Sequence, residues 1–316
     1  MKKELLKLFL FAGLLTGLTA CNSNDDGVEA GIEVPGVTLT PDVECCSAEE
    51  AFQVYKLIET LKVVPELTLE VDGRYIVYAY TKTGKFTKGY NEVYFIATKK
   101  ATGNYIKDFQ ITSITPVMDM VKMGHKHSTP VGGDAVTFDD TRLAVKRTWI
   151  SFLMNTSDAG TWALSYDARV LGKKAAVTDA GIVVNALPEG QDWLKSFKVG
   201  DSNYFLSLVN ATALKTGTNE IRAYISKKSD VITTPYALAT ETFTVEIDPR
   251  MPDMGNHTST NNTTLTRQPD GSYLGSINLT MTGLWRIHLT VKNSNGETVA
   301  GGDYPSGGTL YWDVTI

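Results

Sequence analysis

Gly89-Tyr90-Asn91-Glu92-Val93 is matched later in the chain by Gly217-Thr218-Asn219-Glu220-Ile221, and eight residues after each asparagine comes a lysine pair, Lys99-Lys100 and Lys227-Lys228. The correspondence continues on both sides. Upstream, Asp72-Gly73-Arg74-Tyr75 stands against Asp201-Ser202-Asn203-Tyr204, and each opens an apolar alternating run, Tyr75 to Tyr80 and Tyr204 to Val209. Downstream, Gly160-Thr161-Trp162 answers Gly283-Leu284-Trp285. Self-similarity of this kind marks a duplicated unit. The copies are placed at 50–188 and 189–316, with 21–49 as a polar tether containing glycine and proline.

Each copy reads as β structure. Short stretches of Val, Ile, Tyr, Phe and Thr alternate with polar residues and are separated by Gly, Asn, Asp and Pro. Examples are Val93 to Ala97, Trp162 to Tyr166, Glu241 to Ile247 and Trp285 to Val291, with Asn293-Ser294-Asn295-Gly296 as a hairpin-type turn. The last strands are expected at Ile182 to Leu187 and Leu310 to Ile316. The fold class is all-β, two tandem immunoglobulin-like β-sandwich domains after a lipoprotein signal and a short tether. One segment is ambiguous: Ser47-Ala48-Glu49-Glu50 has the form of a capping box, and Phe52, Tyr55, Ile58 and Leu61 keep helical spacing. Its counterpart, Trp193 to Val199, is too short for such a helix, so a first strand with a turn of helix before it is expected.

Residues 1–20 carry Lys2, Lys3 and Lys7 ahead of the apolar run Leu8 to Leu18, which is the form of a secretion signal too short to span a membrane permanently. Leu18-Thr19-Ala20-Cys21 resembles the lipobox of bacterial lipoproteins, which implies lipidation of Cys21. Asn22-Ser23-Asn24-Asp25-Asp26 is similar to the acidic export signal of Bacteroidetes-type lipoproteins. An outer-membrane lipoprotein with its lipid anchor in that membrane is expected, and the cell surface is a candidate face for it. Loss of residues 1–20 leaves 27 basic against 34 acidic residues, a net −7 over about 296 residues, so nucleic acid is a poor partner. With Cys21 lipidated only Cys45 and Cys46 remain, and adjacent cysteines do not reach ordinary disulfide geometry without strain. Reduced, they are soft ligands beside the tether; a tail feature without function is the other reading.

Five of the seven methionines beyond Met1, and three of the four histidines, fall in two short windows. These are Met118, Met120, Met123, His125 and His127, then Met251, Met254 and His257. Pro116 and Pro130 bracket the first window, and Pro249 and Pro252 interrupt the second, so both are expected as loops displayed by the sandwiches. Thioether sulfur is soft and suits Cu(I), while imidazole accepts either copper oxidation state. In an oxidising compartment a thiolate is at risk of disulfide formation, whereas methionine stays available. An extracytoplasmic copper site, with Cu(I) favoured and zinc weaker, is expected, and it requires the thioethers to face solvent. Two other readings stand beside it: methionines filling gaps beneath the sandwich, and an adaptable surface for a protein partner. Against the first, Asp119, Lys122, Gly124, Lys126 and Asp253 are interleaved with the methionines.

The run from Met118 to Pro130, preceded by a Gly-Tyr-Asn-Glu strand start and followed by Gly-x-Trp, resembles the FixH/YtkA-like domain. In that family a Met-Pro-x-Met-x-His type loop sits on a small β-sandwich, and Met251-Pro252-Asp253-Met254-Gly255-Asn256-His257 is closer to its short form. The resemblance covers most of both copies and implies copper association, with a copper donor or recipient protein as partner. It pairs Met120 with Met251 and Met123 with Met254. His125 then falls opposite Asn256 and His257 opposite Lys126, so a one-residue slip is needed to bring His125 or His127 into the role. Members anchored in membranes carry a helix where this chain carries the lipidation motif.

Catalysis finds little support, since no His-Glu-x-x-His, Gly-x-Ser-x-Gly, P-loop or dinucleotide pattern is present, and a non-enzyme is expected. Asp139-Asp140 is read as a turn before Arg142-Leu143. His288 is read as a strand-face residue, and Trp162 and Trp285 as core anchors. The alternative function is a cell-surface structural or adhesion module for a glycan or envelope protein, without metal, in which Tyr90, Tyr94 and Tyr204 would serve as exposed aromatics.

Overall fold

The computed structural model describes residues 47–231, 233–306 and 308–316; Cys21, Cys45, Cys46 and the signal segment lie outside them. Among the described residues the protein is all-β apart from one α-helix and short 3-10 turns.

Both copies are built on the quoted motif. Gly89–Lys99 and Gly217–Lys227 are strands of equal length. Each opens on a glycine with positive φ, +88° and +95°, a conformation that an L side chain resists. The asparagine two residues on folds back as a latch. Asn91 accepts from the Thr87 amide and donates to the Thr87 and Gly89 carbonyls. Asn219 does the same with Lys215 and Gly217. The latch closes the backbone groups at the strand entry, which is why the pattern repeats.

In the first copy, Tyr75–Thr81, Gly89–Lys99 and Val145–Phe152 form the middle of one antiparallel sheet. The facing layer is ordered Lys173–Ile182, Thr161–Val170, Phe109–Met120, His125–Ser128, which leaves His125–Ser128 at an edge. Val77, Phe95, Ile150, Ile111, Trp162 and Tyr166 meet between the layers, with Phe95 against Tyr166 and Phe152 against Trp162 edge to face. The expected terminal strand Ile182 to Leu187 is shorter: Lys173–Ile182 ends there, and Val184–Asn185 pairs in parallel with Phe86–Thr87.

Ser47 to Lys62 differs from expectation. A full α-helix spans Ala48–Glu59, with both capping-box bonds present between Ser47 and Glu50. Its Ala51 and Val54 pack on Tyr80, Tyr94, Ile96 and Tyr105, the outer face of the first sheet. Residues Val93 through Ala97 are consequently buried on both faces of that strand. The corresponding segment of the second copy is the strand Leu194–Val199, so comparing the copies pointed away from the helix.

The second copy has its own buried cluster, from Phe197 to Val314, sharing no residue with the first. Here Leu265–Arg267 pairs with both Ser272–Leu279 and Thr244–Met251 and joins the layers into one continuous sheet. Between the clusters the chain halves touch. Trp149 stacks on Tyr90 and Tyr224, Ser151 and Ser207 share a buried 2.6 Å hydrogen bond, and the Val131 amide donates to the Tyr236 carbonyl. Tyr90 is thus a contact between the halves, and Tyr94 and Tyr204 are 5% and 3% exposed. Tyr94 and Tyr204 are therefore buried rather than the exposed aromatics expected, and Tyr90 is half-buried.

Candidate metal centre

The methionine windows are not loops. Phe109–Met120 carries Pro116, Met118 and Met120 inside a strand, and His125–Ser128 returns beside it. Thr244–Met251 and His257–Thr258 do the same in the second copy. Pro116 and Pro249 interrupt neither strand, because proline lacks only the donor while its carbonyl still accepts, whereas Pro252 stands where the second strand ends and opens the turn. The Ser128 hydroxyl donates to the Pro116 carbonyl at 2.7 Å, and the Thr258 hydroxyl to the Pro249 carbonyl at 3.1 Å.

Each hairpin turns through a 3-10 segment, Val121–Met123 or Pro252–Met254, that ends on a left-handed glycine, Gly124 or Gly255. In the second turn Asn256 adds one more left-handed residue, at φ +60°. That extra residue is the slip that displaced the histidines in the alignment. By turn anatomy Met120 matches Met251, and His125 matches His257 as the first residue of the returning strand. By strand register Met118 matches Met251, since both lie two residues after the proline and beside the Gly-x-Trp strand. The first hairpin is therefore one rung longer.

Register decides which donors meet. Met118 lies opposite His127 and Met120 opposite His125, while Met251 lies opposite His257. Directly opposed residues of an antiparallel pair share a face, with Cβ atoms about 4.5–5.5 Å apart. Each inward methionine of the two windows thus lies opposite an imidazole.

The expectation of solvent-facing thioethers needs correction. Met118, Met120 and Met251 are 0%, 8% and 3% exposed and belong to the cores, whereas Met123 and Met254 are 59% and 53% exposed at the tips. Strand alternation explains the division: Met118 and Met120 fall on the inward phase, and the charged Asp119 between them on the outward one. His125 and His257 are exposed and His127 is half-buried.

Two of the imidazoles are oriented. Nδ1 of His125 is 2.8 Å from the Met123 carbonyl, and Nδ1 of His127 is 2.9 Å from the Ser128 carbonyl. A carbonyl oxygen only accepts, so Nδ1 is the donor in both contacts, and in the neutral ring so held Nε2 is the atom with the lone pair. Donation of the second ring N–H to a carbonyl is how metal-binding histidines are commonly held. Among the described residues no three His, Cys, Asp or Glu side chains come together as a metal-holding group. A site at these hairpins must therefore use thioether sulfur, which suits a soft ion and serves zinc or calcium poorly. The residues fit Cu(I).

Trp162 and Trp285 are 1% and 0% exposed, and each indole N–H donates at 3.0 Å to a methionine carbonyl, Met154 or Met281. Asp139 caps a turn through Thr141 and Arg142. His288 is 6% exposed and packs between Tyr304 and Tyr311. Among the described residues no helix is long and apolar enough to cross a membrane.

No family model and no curated protein matches the chain. Among solved structures it is similar to the Yersinia pseudotuberculosis adhesin InvE, at 10% identity over 73% of this chain and 55% of that one, with a TM-score of 0.20. It is also similar to the Bacteroides ovatus mixed-linkage glucan utilization locus protein SGBP-B, solved with a mixed-linkage heptasaccharide, at 15% identity over 68% and 40%, with a TM-score of 0.15. The chain spans about half the length of these structures or less, and at such TM-scores the overlays carry no argument about ligand.

Proposed function

We propose that the protein is an extracytoplasmic copper-binding lipoprotein that holds Cu(I) at its two methionine/histidine hairpins, for sequestration, delivery or sensing. The supporting observation is the rung: in both copies an inward thioether faces an imidazole across the same hairpin. Met118, Met120, Met123, His125 and His127 form the donor set of the first copy, and Met251, Met254 and His257 that of the second. Bound copper would supply a soft cation held by neutral donors, with no catalytic step attached to it. Val121, 74% exposed beside Met123, offers an apolar tip for a copper donor or recipient protein to touch. An acyl chain on Cys21 would hold the molecule at the outer membrane.

The test is competitive titration of the whole mature chain with a Cu(I) chelator. Uptake of about one Cu(I) per copy is expected, weakened when Met120, Met123, Met251 and Met254 become Leu and lost when Met118 is replaced as well, with zinc binding weaker. Absence of uptake, or uptake indifferent to those substitutions, would overturn the reading.

A further inference from the structure

Behind each hairpin stands the Gly-x-Trp strand, and its residues share a level with the donors. Trp162 lies opposite Met118, and Met118 opposite His127, so indole, thioether and imidazole stand side by side on three neighbouring strands. The rings of His127 and Trp162 are 5.5 Å apart and nearly perpendicular. In the second copy Arg250 pairs with Arg286, which brings the next residues, Met251 and Trp285, to the same level, and Met251 faces His257. Both indoles are fixed by their N–H bonds to a methionine carbonyl.

Two residues before each tryptophan is a glycine whose missing side chain leaves room for the methionine. A Cβ at Gly160 would stand 2.7 Å from the Met118 methyl and 2.8 Å from the Asp119 carbonyl oxygen. At Gly283 it would stand 2.9 Å from the Met251 methyl. The surroundings differ, a tight turn with Ser157 in one copy and a bridge to Ile316 in the other. The space left for the thioether is common to both.

We infer that Gly160 with Trp162, and Gly283 with Trp285, are the positioning residues of two soft-cation sites: the glycine seats the inward thioether, and the indole walls the rung against water. This rests on the copper reading above. A cation held on that rung lies against an aromatic ring, which attracts cations when desolvated. Met118 and Met251 are then the fixed thioether donors of the two sites, and Met123 and Met254 the exposed ones.

The experiment uses the whole mature chain with Ag(I), a redox-inert stand-in for Cu(I), and with Cu(I) under chelator competition. Indole emission is followed together with affinity. Gly283→Ala and Gly160→Ala are expected to weaken the site in their own copy by about tenfold and to leave the other copy unchanged. Since either alanine strains its turn, Trp162→Phe and Trp285→Phe serve as independent variants. Each is expected to remove its share of the metal-induced loss of indole emission, a readout that packing alone does not move. If metal binds while emission and all four variants behave as the parent, the inference fails and the copper reading stands. If no metal binds, both fail.

Discussion

The two hairpins differ by one rung, and the difference separates what belongs to the scaffold from what belongs to the tip. In the second copy one methionine does everything: Met251 ends the strand, enters the turn, fills the space at Gly283 and faces His257. In the first copy these tasks are divided. Met118 fills the space at Gly160 and faces His127, while Met120 enters the turn and faces His125. Five donors on two levels replace three donors on one. The rung beside the tryptophan is the shared unit, and the extra rung is an extension of capacity.

The strongest way to break the comparison is to remove the shared wall. Trp162→Ala and Trp285→Ala each delete a fully buried indole from a separate core and should cost about 3–5 kcal/mol. Denaturant unfolding should show the loss in one transition or in a limb of it, according to the copy changed. A loss under about 1 kcal/mol at either site would mean that the tryptophans do not organise the two layers.

Next in size is the imidazole. His257→Ala removes the single histidine of the second hairpin, so Cu(I) affinity there should fall about 100-fold, equivalent to about 2.7 kcal/mol. His127→Ala leaves His125 one rung away with its Nδ1–H already donated, and the first site should weaken only about tenfold. Chelator competition on each variant reads both numbers. Equal losses would make the longer hairpin a spacer with no added capacity.

How much of this was legible beforehand follows from where the information lies. The Asn91 and Asn219 latches are local, a side chain closing backbone groups within four residues, so they survive as a visible pattern and reveal the duplication. The methionine windows were visible as composition, but their orientation was not. Pro116 and Pro249 look like loop punctuation, yet each sits in a strand whose carbonyl is used by the returning arm. The helix Ala48–Glu59 carried its own capping signal, and only the assumption of symmetry with Leu194–Val199 argued against it. The seats at Gly160 and Gly283 could not be read, because what a missing Cβ leaves room for depends on a strand more than thirty residues away in the chain.

A third contrast is electrostatic. His288, on the Gly-x-Trp strand of the second copy, is covered by Tyr304 and Tyr311, and its Nδ1 has no hydrogen-bond partner among the described residues. Burial pushes its pKa below the usual 6.5; Asp248 and Asp313 oppose that shift, and Arg286 and Arg250 add to it. Below pH 6.5 the unfolded chain takes up a proton that the folded form refuses, so stability falls as pH drops from 6.5 towards the folded pKa. One proton supplies at most about 1.4 kcal/mol per pH unit. His288→Phe should flatten that acid limb. In the first copy Ser165 holds the corresponding place and bonds Asp179, so no such limb arises there. An unchanged slope in the variant would place the histidine's proton elsewhere.

The smallest effects divide the methionines by burial. Met123 and Met254 touch little of either core, so Met123→Leu and Met254→Leu should alter the stability of the metal-free chain by no more than about 0.5 kcal/mol. Met118→Leu and Met251→Leu change shape inside packed cores against Gly160 and Gly283 and should cost more, up to about 1.5 kcal/mol. If thioethers at both depths bind copper, all four variants should also show a smaller copper-dependent rise in melting temperature, whatever their metal-free stability, because a ligand of the folded state stabilises by an amount that grows with the logarithm of its concentration over its dissociation constant. Should the buried pair lose stability without losing that rise, Met118 and Met251 would be packing residues, and the metal would belong to the tips alone. Each hairpin would then keep one tip thioether, Met123 or Met254, with two imidazoles beside it in the first copy and one in the second, and the inequality between the copies would rest on histidine alone. Measuring the four melting curves with and without Cu(I) decides which inequality the molecule has.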